Sequence, residues 1–505
     1  MRRTSVAMTA AIEEALFRRL VRDDGQEDLC LATYRPSTGF SRFSALIREV
    51  VPPEPGDCLV HGNATVTASY ILRGAEAAQK DDCGLVLLHS HPGASHWQTM
   101  SGQDRDCEAS YANLVREITG LPLVGMTLAA ENCTWSARHW NVGVGRAVDC
   151  THSTNVRVIG DKFEVSWNDA VQPPPRSSIC QTRTVSAWGD RKQADLVRRR
   201  VLVVGAGSVG LDVFMRLAAS GLCNLTIMDY DVVEAHNLDR LIGAERRDAR
   251  LRRPKIHVAR REAMATATAA KCNIEVSDRS ICEPDGLRLA LDHDLIFSCV
   301  DRPWPRAVLN SLAYSDLIPV IDGGIAIDTF DRGEMRNATW RSHVIRPGRP
   351  CMGCNRQLDL GLVALERQGL LDDPTYIQRA REGFNLVNPN VAPLSVNVTA
   401  SILAQYVSFS VAPAAFGDPG PLQYALSTHH LEHRDDSARP HCATEVAEGV
   451  GDHRVCLTGL HKDAEQKRQL SKSVGLSVRL LRLIDDGALK ITTWLNLLGV
   501  CPPRL

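Results

Sequence analysis

The segment His89-Ser90-His91-Pro92 closes an apolar run, GLVLLHSH, and is followed by Ser101 and Asp104. Residues two apart in an extended strand share a face, so His89 and His91 can offer both imidazoles to one ion, with Asp104 adding an oxygen from the next turn. Three protein ligands leave a fourth tetrahedral position for water, whose pKa a zinc ion lowers to about 7. Hydrolysis at such a centre also needs a proton relay and a donor for the developing oxyanion. Glu27 at the start of the first expected strand suits the relay, with Glu49 as a competing acid, and Ser101 suits the oxyanion. The same residues also allow a plainer reading: a strand end with two surface histidines and a helix capped by Ser101 through Asp104.

A second constellation begins after another apolar run. Gly205-Ala206-Gly207-Ser208-Val209-Gly210 follows VLVV and opens a helix, the arrangement in which backbone N–H groups cradle a nucleotide phosphate. Asp229, about twenty residues on, would suit the ribose of NAD as well as that of ATP. The residues beyond it favour nucleotidyl transfer: Asp231, Asn237, Arg240, Lys255 and Asp301 form a ladder of charged and polar groups. A hydride-transfer site needs no such set, whereas attack on an α-phosphate develops charge there and on the leaving pyrophosphate.

A third group is cysteinyl. Cys351-Met352-Gly353-Cys354 has the spacing of half a structural zinc site, and His441-Cys442, with Glu445 three residues further, offers the other half. Two readings follow: three cysteines with His441 as the fourth ligand, or an empty, degenerate site.

The elements that must position these residues can be read from periodicity. Glu27 to Thr33, Ser44 to Val51, Thr65 to Ile71, Gly84 to His89 and Leu121 to Leu128 are short apolar runs, predicting an α/β domain over residues 1–145. Residues 146–182 carry Pro173-Pro174-Pro175 and little periodicity, and read as a linker. From residue 183 to 455 the pattern alternates: VLVVGAG, a helix Val209 to Ala219, LTIMDYD, a helix Pro254 to Ala270, CNIEVSD, DLIFSCVD and LIPVIDGG. Strands alternating with helices predict a doubly wound, mainly parallel sheet with its ligand at the carboxyl ends of the strands. Residues 456–505 read as a helical tail for packing or oligomerisation.

Composition narrows the function classes. With 58 basic against 59 acidic side chains in 505 residues, no global field recruits nucleic acid or an anionic membrane. Sixteen cysteines without regular spacing, and Glu13 and Glu14 where a signal peptide needs apolar residues, predict reduced thiols and a cytoplasmic protein. The apolar stretch Ile402 to Phe416 is interrupted by Gln405, Ser408, Ser410 and Pro413, so no membrane span is expected.

The first constellation, a distant Glu followed by HxHP and SxxD, resembles the JAB/JAMM metallopeptidases over about residues 20–145. That resemblance implies a JAMM-type α/β domain that cleaves after a glycine, with zinc on His89, His91 and Asp104, Glu27 as relay and Ser101 as oxyanion donor. Twelve residues separate His91 from Asp104, two more than the family usually has, so His96 and Asp106 remain alternative ligands.

The second constellation resembles the ThiF/MoeB and ubiquitin-activating adenylyltransferases, which have a Rossmann-like fold. Here the resemblance implies ATP held by Gly205, Gly207 and Gly210, its ribose on Asp229, its phosphates on Asn237, Arg240 and Lys255, and Mg2+ on Asp301. Arg183 occupies the place of an arginine that crosses a homodimer into the partner's site, with Arg191 as the alternative. The implied partner is a ubiquitin-like or sulfur-carrier protein with a C-terminal glycine. Because no cysteine lies between Cys354 and Cys442, the segment carrying the thioester cysteine in many relatives lacks one. Activation is therefore expected to stop at the adenylate or pass to an external thiol.

Overall fold

In a computed structural model the described residues are 2–61, 63–330, 333–371, 390–434, 437–472, 478, 480–484, 487 and 491. Their apolar runs become the strands of two large sheets. The first sheet contains β1 (Arg3–Thr9), β2 (Leu29–Thr38) and β3 (Arg42–Val51). A small hairpin, β4 (Cys58–His61) and β5 (Asn63–Val66), lies outside it. The first sheet continues with β6 (Gly84–His91), β7 (Leu123–Ala129), β8 (Thr134–Val142), β9 (Val148–His152), β10 (Asn155–Ile159) and β11 (Phe163–Trp167). Its strand order is β11-β10-β1-β3-β2-β6-β7-β8-β9. Because β6 is near the middle, its residues are buried from Gly84 to Ser90.

The sequence reading placed the end of this unit at residue 145 and a linker after it. The sheet instead runs on to Trp167, with β10 pairing parallel to β1 and antiparallel to β11.

The second sheet holds β12 (Arg200–Val204), β13 (Asn224–Met228), β14 (Asn273–Ser277), β15 (Leu295–Ser298), β16 (Val320–Thr329), β17 (Met335–Ile345), β18 (Leu422–Ala425) and β19 (His430–His433). The order β14-β13-β12-β15-β16 is parallel throughout, and β17, β18 and β19 extend it antiparallel. The doubly wound, mainly parallel sheet is therefore present. Its strand order reverses between β12 and β15, which opens a crevice at their carboxyl ends. Of the expected helical tail, Lys462–Lys472 is a helix, and most residues beyond it lie outside the described set.

The two sheets are not tethered independently. Ala7, Leu46, Ile159 and Phe163 of the first share one hydrophobic core with Leu217, Phe297, Ile321 and Phe409 of the second half. Phe163 stacks on Phe409 at 5.6 Å between centroids. Arg42 donates to Asp294 at 2.8 Å with both side chains buried, and Ser37 Oγ donates to Asp316 at 2.7 Å. A buried, mutually compensated charge pair of this kind fixes registry between the units, since removing either partner strands the other charge.

One described helix, Ala392–Val411, is long and apolar enough to cross a membrane. Its Val398, Ile402 and Phe409 lie in the shared core.

Candidate functional site

The fold gathers the histidine motif into a cluster. Ser90 points away from its neighbours to donate from Oγ to Leu20 O at 2.7 Å, so His89 and His91 share the opposite face. Their Nε2 atoms are 3.1 Å apart. Two nitrogens on a tetrahedral zinc at its usual bond length sit about 3.3 Å from each other. Asp104 Oδ2 is 3.9 Å from His89 Nε2, and the three groups offer ligand atoms that all fall within 4.8 Å of one another. The longer loop therefore does not remove Asp104 from the set, and neither His96 nor Asp106 belongs to it.

Asp104 is held there by the start of its helix. Ser101 is the N-cap of Gly102–Thr119, accepting from Asp104 N at 3.1 Å while Ser101 N donates to Asp104 Oδ2 at 3.0 Å. The capping box and the candidate ligand are one structure, so the plain reading of Ser101 and the functional one coexist. Glu27 Oε1 is 4.0 Å from His91 Nε2, which makes Glu27 the acid beside the cluster. Glu49 sits at an exposed position on β3.

Two further contacts orient the imidazoles: Thr127 Oγ1 is 3.4 Å from His89 Nε2, and Gln98 Oε1 accepts from His91 Nδ1 at 3.2 Å. A bond to Nδ1 fixes the tautomer and leaves Nε2 with a lone pair, as a metal ligand requires. Burial, reinforced by the Arg138 guanidinium, pushes His89 down to about 3, so it is neutral near pH 7. Burial alone would raise Asp104, but the His89 imidazolium, where it forms in acid, and the bonds from Ser101 hold it below the ordinary carboxylate range.

At the crevice between β12 and β15 lies a cavity of about 400 Å³. Gly205, Gly207, Asp229, Asn237, Arg240, Lys255 and Asp301 all line it. Gly205 has φ +96°, and a Cβ there would stand 2.5 Å from Cys299 O. Gly210 is one turn deeper, where a Cβ would fall 1.8 Å from Gly205 O, while Gly207 faces open space. The first and third glycines thus set the turn and the helix packing, and the second leaves room for a ligand.

Asp229 steadies this loop. Ala206 N donates to its Oδ2 at 2.6 Å and Asp231 N to its Oδ1 at 2.7 Å. Burial and the neighbouring charge of Asp231 raise its pKa. Lys255 Nζ meets Asp231 Oδ2 at 2.9 Å. Burial alone would lower Lys255, but Asp229 and Asp231 hold it above the usual lysine value, so it is a cation at the cavity wall.

Arg306, Gly323, Gly324 and Asn390 also line the cavity and were not anticipated. Arg306 follows Asp301 by five residues on the helix Pro303–Ser315, and its Nε is 3.4 Å from the buried Asp322. The signal available in the sequence was Asp322-Gly323-Gly324 at the end of an apolar strand; for Asn390 there was none.

Arg183 is exposed on the helix Thr182–Trp188 and does not line this cavity in its own chain. Arg191 lines a different cavity of about 960 Å³, between the first sheet and the helix Asp190–Arg198, together with Trp97, Gln98 and Trp167.

The cysteines converge as well. Cys351, Cys354, Cys442 and Glu445 offer ligand atoms within 4.8 Å of one another, and Cys351 Sγ is 3.5 Å from Cys442 Sγ. The expected fourth member, His441, is not among them: it has φ +59° at an exposed position. The turn Ala443–Val446 brings Glu445 back instead, and its Oε1 accepts from Cys351 N at 2.9 Å. Three thiols and a carboxylate are a coherent donor set for zinc.

Residues 180–419 match the ThiF family. Among curated relatives, a molybdopterin-synthase adenylyltransferase of Escherichia coli is 31% identical over 151 residues, 28% of this chain and 58% of that protein. The adenylyltransferase and sulfurtransferase UBA4 of Yarrowia lipolytica is 30% identical over 145 residues, 27% of this chain and 33% of that protein. This chain thus spans less than two thirds of either relative. Among solved structures, Escherichia coli MccB with ATP aligns at 17% identity and a TM-score of 0.41 over 53% of this chain and 74% of that one.

Proposed function

We propose that the ThiF-type domain adenylates the C-terminal glycine of a small ubiquitin-like or sulfur-carrier protein, and that the first sheet carries a metal-dependent hydrolase acting after a glycine. The observation that carries the first half is the convergence of the glycine loop, Asp229, Asn237, Arg240, Lys255 and Asp301 on one cavity at the strand-order reversal. The relatives' names, molybdopterin-synthase adenylyltransferase and adenylyltransferase and sulfurtransferase, support an acceptor of the sulfur-carrier class.

In the adenylation reaction the acceptor carboxylate attacks the α-phosphorus of ATP. The bond from that phosphorus to the bridging oxygen breaks, and pyrophosphate leaves with the electron pair. Most of the catalysis is positioning and neutralisation. The loop N–H groups meet the phosphates, Asp229 faces the ribose hydroxyls, and Asn237, Arg240 and Lys255 balance charge on the leaving pyrophosphate. Arg306 adds a further cation to the cavity lining. Asp301, on the cavity wall, would hold Mg2+ with the phosphates. Arg183 serves the site of the partner subunit in a homodimer. No cysteine stands between Cys354 and Cys442, so the acyl adenylate passes to an external thiol.

The hydrolase reading supports trimming of a precursor or removal of a conjugate. His89, His91 and Asp104 would hold zinc, which when bound activates water and polarises a carbonyl. Glu27, 4.0 Å from His91, would take a proton and return it to the leaving amine, and Ser101 Oγ would donate to the oxyanion. An inactive interaction module is the less favoured reading, because it gives no reason for Glu27, His89, His91 and Asp104 to meet.

Metal content tests both metal clusters together. The purified protein is expected to carry about two equivalents of zinc, one per cluster. Cys442→Ser and His91→Ala should each lower this to about one, read by atomic emission on folded protein. Protein with fully reduced, zinc-free Cys351 and Cys354 would remove the structural ion, and an unchanged count in His91→Ala would remove the hydrolytic one.

A further inference from the structure

The helix Lys462–Lys472 lies outside the ThiF match, yet it is built against the nucleotide cavity. Just before its first turn, His461 Nδ1 is 2.8 Å from Ser280 Oγ, and the imidazole stands edge-on to both Tyr230 and Trp304. On the helix itself, Arg468 forms a two-pronged pair with Glu283. Between these anchors Lys467 Nζ reaches Asp231 Oδ1 at 2.7 Å and lies 5.3 Å from the centroid of the Tyr230 ring. Asp231 thus holds two lysines, one on each oxygen: Lys467 from the tail and Lys255 from the cavity wall.

Lys255 cannot serve Asp231 and a triphosphate equally. When phosphates draw it away, a half-buried carboxylate is left facing incoming negative charge, unless a second cation stays on it. Lys467 is that cation: it does not line the cavity, and Asp463 at 3.0 Å helps to hold it on Asp231.

We propose that Lys467 is a positioning residue of the nucleotide site, retaining the charge of Asp231 so that Lys255 is released to the phosphates of ATP. The proposal rests on the ATP reading above. Without Lys467, Asp231 would keep Lys255 for itself and also repel the ligand.

Calorimetric titration of the full chain with Mg2+-ATP decides this. Lys467→Met is expected to raise Kd about tenfold, as loss of one charge interaction worth a single decade would, with Lys467→Arg restoring most of the affinity. In an Asp231→Asn background, where no charge needs holding, the same Lys467→Met change should alter Kd less than about twofold. Thermal melts confirm that each variant is folded, with Lys467→Gln as a second neutral variant. An unchanged Kd in Lys467→Met, or an equal loss in both backgrounds, would overturn the proposal and leave the helix a packing element. Absence of ATP binding by the wild-type protein would instead overturn the nucleotide reading, and the proposal with it.

Discussion

His89→Ala is expected to abolish cleavage of an amide bond following a C-terminal glycine. The loss should exceed about 100-fold, because even groups that only orient a metal ligand typically cost 10–100-fold when removed. His89 Nε2 lies 3.1 Å from His91 Nε2 and 3.9 Å from Asp104 Oδ2, so the substitution removes one of the three candidate ligands. Adenylation should persist within about twofold, the tolerance for independent sites. A flexible tether is not the reason, because the two sheets share a core. Independence follows from location: His89 and His91 stand on β6, whereas contacts to the second half include those of Ala7, Ser37, Arg42, Leu46, Arg157, Ile159 and Phe163 on other strands. Equal loss of both activities in folded protein would contradict this separation.

The second large effect is expected at Lys255. Lys255→Met should lower acceptor-dependent pyrophosphate exchange about 100-fold to 1000-fold, the usual cost of removing a group aimed at transition-state charge. The change also leaves Asp231 to Lys467 alone, so the fold around the cavity should survive, and a melt within a few degrees of wild type would verify that. An exchange rate within about threefold of wild type would show that Lys255 serves only to pair Asp231.

How much of this was legible in the sequence depends on where each strand is buried. VLVV, LTIM, LIFS and the run before Asp322 form parallel strands covered on both faces, which produces uninterrupted apolar stretches. The nucleotide residues on their carboxyl ends could be placed from those stretches. Strands β9 to β11 were hidden for the opposite reason. Val148–His152 and Phe163–Trp167 mix polar with apolar residues, and Asn155–Ile159 contains Arg157, which reads as a surface cation. In the fold Arg157 is wholly buried, 3.9 Å from Asp294, which immediately precedes β15. A charge compensated across a domain junction has no local signature.

The metal clusters show a similar contrast. His89 and His91 are related by strand periodicity and Asp104 by a helix cap, both local rules. Glu445 was within reach too, since Cys442-x-x-Glu445 repeats the spacing of Cys351-x-x-Cys354. Its selection over His441 follows from the short turn after Cys442, which points one residue inward and leaves the other exposed. Lys467 is the case with no signal: its partner Asp231 is far away in sequence, and only the docking of the tail brings them together.

The most direct measurement is exchange of radiolabelled pyrophosphate into ATP by the full chain, with and without a small ubiquitin-fold protein ending in glycine. The account predicts exchange that requires Mg2+, requires the acceptor and disappears when its terminal glycine is deleted. No exchange in any of these mixtures, together with tight binding of NAD, would return the cavity to a dinucleotide site and contradict the assignment of the second sheet.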